Sequence, residues 1–313
     1  MNKDSKIYVA GHRGLVGSAI VRMLRYQGYK NIITRTHSDL DLTRQKDVED
    51  FLKKKKPEYV FLAAARVGGI LANIERPASF IYDNLIIQSN IIHSAYISGV
   101  KRLLYVSSSC SYPRLCSQPM KEDYILDGHP EPTNEYYAVA KIAGMKMVEA
   151  YSREYGLSFI TLIFPNLFGP GDNFDITSSH VIPALIRKIY EAKINKSPEI
   201  EIWGTGKARR EFLYVDDVAD ACLYFIDKCK GGEILNVGSG NDITIKDLAG
   251  IVKEIAAYKG SLVFNTEKPD GMPRKLLDVS RMRKFAWRPK ISLEEGIKKT
   301  LDWYISNYHT TGD

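Results

Sequence analysis

Lys6-Ile-Tyr-Val-Ala-Gly-His-Arg-Gly-Leu-Val-Gly17 is the stretch on which the fold turns. An apolar run ends in a glycine, glycines recur at 11, 14 and 17, and a helical pattern continues to about residue 28. This reads as strand, glycine turn and helix. Glycines here let the backbone turn sharply, leave the amides at the helix start open to a pyrophosphate, and let helix pack close against strand. Gly11, Arg13, Gly14, Leu15, Val16 and Gly17 are therefore candidate contacts for a dinucleotide.

Moving outward, residues 31–35 read as the second strand, and the side chains just beyond it select the cofactor. An acidic residue after this strand holds the ribose 2′-hydroxyl of NAD, whereas a basic one receives the extra phosphate of NADP. The strand ends in Arg35, His37 comes next but one, and Arg13 sits in the glycine loop, so NADP(H) is expected. Asp41 and Leu42 open the next helix, expected over 43–55, and fall on the cofactor side. Residues 58–64 form a nearly continuous apolar run, the pattern of a strand buried on both faces, and small Ala64 allows close approach of a cofactor. A Gly68-Gly69 loop and a helix to about Tyr96 lead to another buried strand at 101–107, which ends in Ser107-Ser-Ser-Cys110-Ser-Tyr-Pro113. Strands alternating with helices predict an α/β fold: a Rossmann-type doubly wound parallel sheet with chemistry at the carboxyl ends of its strands.

Beyond a strand at 157–164, Pro165-Asn166-Leu167-Phe-Gly-Pro-Gly171 marks where the chain leaves the sheet. An amphipathic helix at 180–192 and a strand at 200–203 come next. Residues 210–217 return toward the first domain and start a helix, with Asp216 and Asp217 as caps at its positive end. Helices are expected at 244–258 and 293–308, the latter opened by the capping box Ser292-Leu-Glu-Glu295. The predicted division is 1–167 with 209–241 for the cofactor, and 168–208 with 242–313 as a smaller, discontinuous α/β substrate domain.

The chain has 313 residues and a net charge of +7. Its lysines fall on helix faces and turns such as 53–56, a pattern expected of solvated surface and not of a nucleic-acid partner. The positive balance suits a phosphorylated cofactor and substrate. The most apolar window, 59–72, is broken by Arg66, so no membrane segment is expected. Four cysteines, at 110, 116, 222 and 229, lack Cys-x-x-Cys spacing, and no metal site is expected. Without a leader segment, they point to reduced thiols in the cytoplasm.

Tyr137-Ala-Val-Ala-Lys141 supplies the chemistry. In a helix capped by Thr133, the phenol and ammonium lie one turn apart on one face. A tyrosine titrates near ~10, and an adjacent cation lowers such a value by about 1 to 3 units. The phenol is then expected to exchange a proton with a substrate oxygen.

The glycine loop, the serine-rich strand end and Tyr137-x-x-x-Lys141 stand in an order and spacing that resembles the extended short-chain dehydrogenase/reductase family. Ala63-Ala-Ala-Arg-Val-Gly-Gly69, Ser108-Ser-Cys110-Ser-Tyr-Pro, Glu131-Pro-Thr-Asn-Glu135, Asp172-Asn-Phe174, Ser179-His-Val-Ile-Pro-Ala184 and Lys268-Pro-Asp-Gly-Met-Pro-Arg-Lys275 narrow the likeness. They resemble members acting on GDP-4-keto-6-deoxymannose. The resemblance implies NADPH-dependent reduction at C4 with epimerisation at C3 and C5. It implies Ser108, Tyr137 and Lys141 as the reductase triad, Cys110 as epimerisation base and His180 as acid. Ser107, Pro165, Asn166, Leu167 and His180 join the cofactor set, along with Tyr137 and Lys141. Ser108, Asn166, Lys188, Trp203, Arg210 and Asp270 face the nucleotide sugar, and a homodimer forms through helices at 84–98 and 136–155. A ketone at C4 acidifies the hydrogens on both neighbouring carbons, so one acid–base pair can serve both. Two other readings stay open: C4 reduction of another GDP-4-keto sugar, such as a heptose, without epimerisation, and a non-catalytic dinucleotide sensor.

Overall fold

Ile7–Ala10 (β1) is buried along its whole length, and the chain turns at Gly11, φ +85°, into α1 (Leu15–Tyr26). The computed structural model describes residues 1–176, 178–268 and 270–308; the end of the expected second domain, 309–313, and Pro269 of the 268–275 motif lie outside the described residues. A Cβ on Gly11 would lie 2.7 Å from the backbone of Ala64, and one on Gly17 would lie 2.1 Å from the carbonyl oxygen of Gly11. Only glycine at these two positions lets the helix start, β1 and the 63–64 backbone meet.

The chain continues through β2 (Ile32–Ile33), α2 (Gln45–Lys55), β3 (Tyr59–Leu62), α3 (Ile70–Glu75), α4 (Pro77–Ile97) and β4 (Arg102–Ser108). Short 3-10 turns at Ser109–Ser111, Glu122–Tyr124 and Pro132–Asn134 precede α5 (Glu135–Tyr155), β5 (Ser158–Phe164) and β6 (Asn166–Phe168). Then come α6 (Val181–Ile194), β7 (Glu199–Trp203), β8 (Arg209–Tyr214), α7 (Val215–Lys228) and β9 (Ile234–Asn236). The last elements are β10 (Asp242–Thr244), α8 (Ile245–Ile255), β11 (Ser261–Asn265), β12 (Arg274–Lys275), α9 (Ser280–Arg283) and α10 (Leu293–Tyr308).

Six strands pair in the order β2-β1-β3-β4-β5-β9, every pair parallel. The order reverses between β1 and β3, and open α/β sheets bind ligands outside the carboxyl ends of strands at such a point. The inner strands are largely buried on both faces because helices cover both, which is why their sequences are nearly continuous apolar runs. One apolar cluster lines this sheet; a second lies among α6, α8, α10, β7 and β8 and includes Phe174, Ile186, Leu248 and Tyr304. No helix among the described residues is long and apolar enough to cross a membrane.

Several local expectations change. The expected 31–35 strand is only two residues long. The expected helix at 43 starts at Gln45, because the Asp41 carboxylate accepts from Thr43 N at 3.0 Å and Thr43 Oγ1 at 2.7 Å, closing a turn first. Thr133 does not cap α5: the helix starts at Glu135, and Thr133 Oγ1 lies 3.4 Å from Glu131 Oε1. Asp216 and Asp217 sit in the first turn of α7 but make no cap; Asp217 instead accepts from the N–H groups of Lys290 (2.9 Å) and Ile291 (3.0 Å). The Ser292 cap is present, with Glu295 N donating to Ser292 Oγ at 3.1 Å.

The largest change is at β8. Residues 210–214 form not a connector but the middle of a second sheet, with β8 antiparallel to β10 and parallel to β12 and β6. Buried Glu211 fastens it by accepting from Gly240 N at 2.7 Å and Leu277 N at 2.8 Å. Burial pushes its carboxyl up to about 7 despite those bonds.

Gly17→Ala forces α1 off β1. Overpacking of this kind costs about 1–3 kcal/mol, so urea unfolding of the variant should show a loss in that range. An unchanged midpoint would mean that helix and strand do not need this approach.

Candidate functional site

β4 pairs with β5 up to Ser108↔Phe164, and the chain then turns at once into Ser109–Ser111. Ser108 Oγ accepts from Cys110 N at 3.3 Å, which fixes the turn and sets Cys110 at the carboxyl edge of the sheet. α5 packs against β4 and this turn. Tyr137 and Lys141, one turn apart on α5, thereby join Ser108 and Cys110. The Tyr137 ring stands edge-on to Phe80, with centroids 6.4 Å apart. The hydroxyl of Ser107 is buried with no hydrogen-bond partner among the described residues.

The electrostatics differ from the expectation that an ammonium would acidify Tyr137. Burial pushes the phenol up, and Cys110 adds to the effect. Burial also draws the Lys141 amine down to about 7. Lys141 Nζ donates to the Val106 carbonyl at 2.9 Å and lies 4.7 Å from the Tyr105 ring centroid and 5.8 Å from that of Tyr137. For both groups, desolvation of the charged form is the largest effect.

Two residues without an assigned role in the sequence converge on the sulfur of Cys110. Asn134 Nδ2 lies 3.2 Å from Sγ and Lys275 Nζ 3.7 Å from it. Lys275 reaches the site because β12 pairs with β8, setting Lys275 opposite Arg210. A basic residue at the end of a proline- and glycine-rich stretch gave no sign of this. Lys275 also acts on His180, the N-terminal boundary residue of α6. His180 is an exposed residue, yet desolvation by the protein around its imidazole and then the charge of Lys275 lower its pKa, so the neutral form dominates near pH 7.

Trp203 on β7 is 59% exposed, with Lys188 Nζ 5.5 Å and Lys268 Nζ 5.4 Å from its ring. The Asp270 carboxylate is held by Thr205 N and Thr205 Oγ1, each at 2.7 Å. Arg210 links the two sides: its Nη2 lies 3.5 Å from the Asp270 carbonyl, and its charge interacts with both Cys110 and Asp270. Asn166 Nδ2 donates to the Glu211 carbonyl at 3.0 Å, tying β6 to β8.

On the expected cofactor side, Gly14 is the N-terminal boundary of α1, Leu15 and Val16 start the helix, and Ala64 lies against Gly11. Arg13 and Arg35 both act on Asp39, whose carboxyl is lowered first by hydrogen bonds from Thr36. Arg35 Nη1 donates to the Thr34 carbonyl at 2.7 Å. His37 is exposed, 3.9 Å from the Asp41 carboxylate, and the Leu42 carbonyl accepts from Asn90 Nδ2 at 2.9 Å. Pro165 joins β5 to β6, where Leu167 pairs with Leu213.

Residues 7–238 match the model of the NAD dependent epimerase/dehydratase family. GDP-L-fucose synthase 1 of Arabidopsis thaliana is 53% identical over 306 residues, covering 98% of this chain and 95% of its own. A GDP-6-OMe-4-keto-L-xylo-heptose reductase from C. jejuni superposes with a TM-score of 0.92 at 39% identity, covering 98% and 99% of the two chains. A GDP-L-fucose synthetase from Naegleria fowleri bound to NADP gives 0.92 at 30% identity, covering 99% and 95%.

Lys141 titrates near 7 when folded, against ~10.4 in an unfolded chain. The unfolded chain therefore holds more protons between these values, so this group's contribution to stability rises with pH there and is lowest below 7. In the cofactor-free protein, Lys141→Met should gain most in thermal midpoint over the native protein near pH 6, with the gain shrinking toward pH 10. A gain independent of pH would show that the amine is charged at no cost.

Proposed function

This chain belongs to the NAD dependent epimerase/dehydratase family, and on that premise we propose that it reduces C4 of a GDP-linked 4-keto sugar with NADPH, after epimerising C3 and C5. The observation that carries this reading is Cys110, set beside the Ser108, Tyr137 and Lys141 cluster with two donors aimed at its sulfur. A plain reductase needs no such sulfur. The 53% identity to a GDP-L-fucose synthase supports the same conclusion.

The residues present fit the cofactor. The Gly11–Gly17 turn is a cradle that a Cβ at Gly11 or Gly17 would fill, and Arg13 and Arg35 bring positive charge beside it. When bound, NADPH supplies the hydride for C4. Lys141 holds the ribose next to the nicotinamide, while Ser108 donates to the ketone oxygen and Tyr137 protonates it. Before that, the Cys110 thiolate takes the proton from C3 and from C5 in turn and passes it to solvent, while His180, having taken up a solvent proton, delivers it to the opposite face of that carbon. Lys188 and Arg210 bind the diphosphate, Trp203 forms an apolar wall, and Asp270 and Asn166 take polar groups of the nucleotide sugar. In this reading 1–167 with 209–241 hold the cofactor, and 168–208 with 242–313 hold the sugar nucleotide. The exposed Tyr82, Ile97, Tyr136, Val139 and Tyr155 of α4 and α5 support a homodimer through these helices; the protein in this reading acts in the cytoplasm.

The likeness to a heptose reductase favours a second reading, C4 reduction without epimerisation. Incubation with GDP-4-keto-6-deoxymannose in deuterated water without NADPH separates the two. Deuterium at C3 and C5 is expected, and none would leave only the reductase. Tyr137→Phe should slow NADPH oxidation by ~10²–10⁴-fold while exchange persists. Loss of both activities would reassign the proton donors.

A further inference from the structure

Asn134 occupies the N-cap of α5, where an asparagine side chain ordinarily accepts from first-turn N–H groups and stabilises the helix by ~1 kcal/mol. It makes no such bond. Its amide is instead turned to the site, with Nδ2 donating to Cys110 Sγ at 3.2 Å. At the other end of the same amide, Oδ1 is buried without a hydrogen-bond partner among the described residues. A buried acceptor left bare is unfavourable, so one residue carries two local losses: an unused cap and an unmet oxygen. Such losses persist in folded proteins where a ligand makes use of them.

The amide is rigid and planar, so its two ends sit at a fixed separation. One end lies against the sulfur; the other is a buried acceptor with no partner of its own among the described residues. The ligand proposed for this site carries a sugar ring, whose hydroxyls are donors of the right kind.

We propose that Asn134 is a substrate-binding and positioning residue: Nδ2 orients the Cys110 sulfur, while Oδ1 accepts from a ring hydroxyl next to the carbon that loses its proton. This rests on the reading of Cys110 as the epimerisation base. The amide then measures base against substrate, fixing the carbon at which the sulfur acts.

The two halves of the amide can be removed separately in the full chain. Asn134→Asp keeps an acceptor oxygen and removes the donor, whereas Asn134→Ala removes both. With GDP-4-keto-6-deoxymannose in deuterated water, Asn134→Asp should lower the maximal exchange rate at C3 and C5 by roughly 10- to 100-fold, with KM within a few-fold of the native value. Asn134→Ala should show the same loss and, in addition, a KM raised by roughly tenfold. Native exchange in Asn134→Ala, or KM and maximal rate falling together in Asn134→Asp, overturns the inference. Cys110→Ala, run alongside, separates the two failures. Exchange lost there but native in Asn134→Ala overturns the role of Asn134 alone. Exchange native in Cys110→Ala overturns the sulfur as base.

Discussion

The site depends on a close approach of backbone to backbone: the carbonyl of Gly11 occupies the space where any side chain on Gly17 would stand. That contact presses the first turn of α1 onto the end of β1. It also brings the 63–64 backbone, just beyond β3, against Gly11. With α1 held there, its N-terminus follows the carboxyl end of β1, beside the point where strand order reverses between β1 and β3. β4 and β5 then carry Ser108 and the 165–167 segment to the same edge. The site is thus a consequence of sheet geometry, with side chains supplied by whatever residues end each strand.

A second constraint joins the sheet to the rest of the chain. β8 pairs at one end with β10 and β12 and at the other with β6, so one strand touches the exits of several segments. Glu211, within it, is buried beneath N–H groups from two separated loops. Removing one donor from a buried carboxylate is expensive, so the 239–240 turn and the 275–277 segment are held in register with β8. Arg210 and Lys275 lie opposite one another for this reason. The placing of Arg210 and Lys275 near Cys110 is therefore tied to a carboxylate that contacts neither.

How much the sequence disclosed depends on how each element is encoded. The 58–64 and 157–164 runs are nearly continuously apolar because both faces are covered, and α10 has the bounds that its apolar spacing and Ser292 box indicate. β8, β10 and β12 carry Arg209, Arg210, Asp242 and Arg274 at their pairing positions, a polarity that reads as loop until distant strands meet. The spacing of Tyr137 and Lys141 was legible; their protonation was not, because it depends on burial by Tyr105, Phe80 and the strand beneath. Lys275 was hidden for a simpler reason: it is 165 residues from the cysteine it faces.

Of the three tryptophans, Trp287 is buried and donates to Asp220, and Trp303 is half-buried against Phe174. Trp203 alone stands largely open to solvent, between two ammonium groups. Indole emission is quenched or shifted by stacking and by a change of local field. The molecule consequently carries its own optical gauge, in which a planar group laid against that ring alters one fluorophore and leaves the other two as an internal reference.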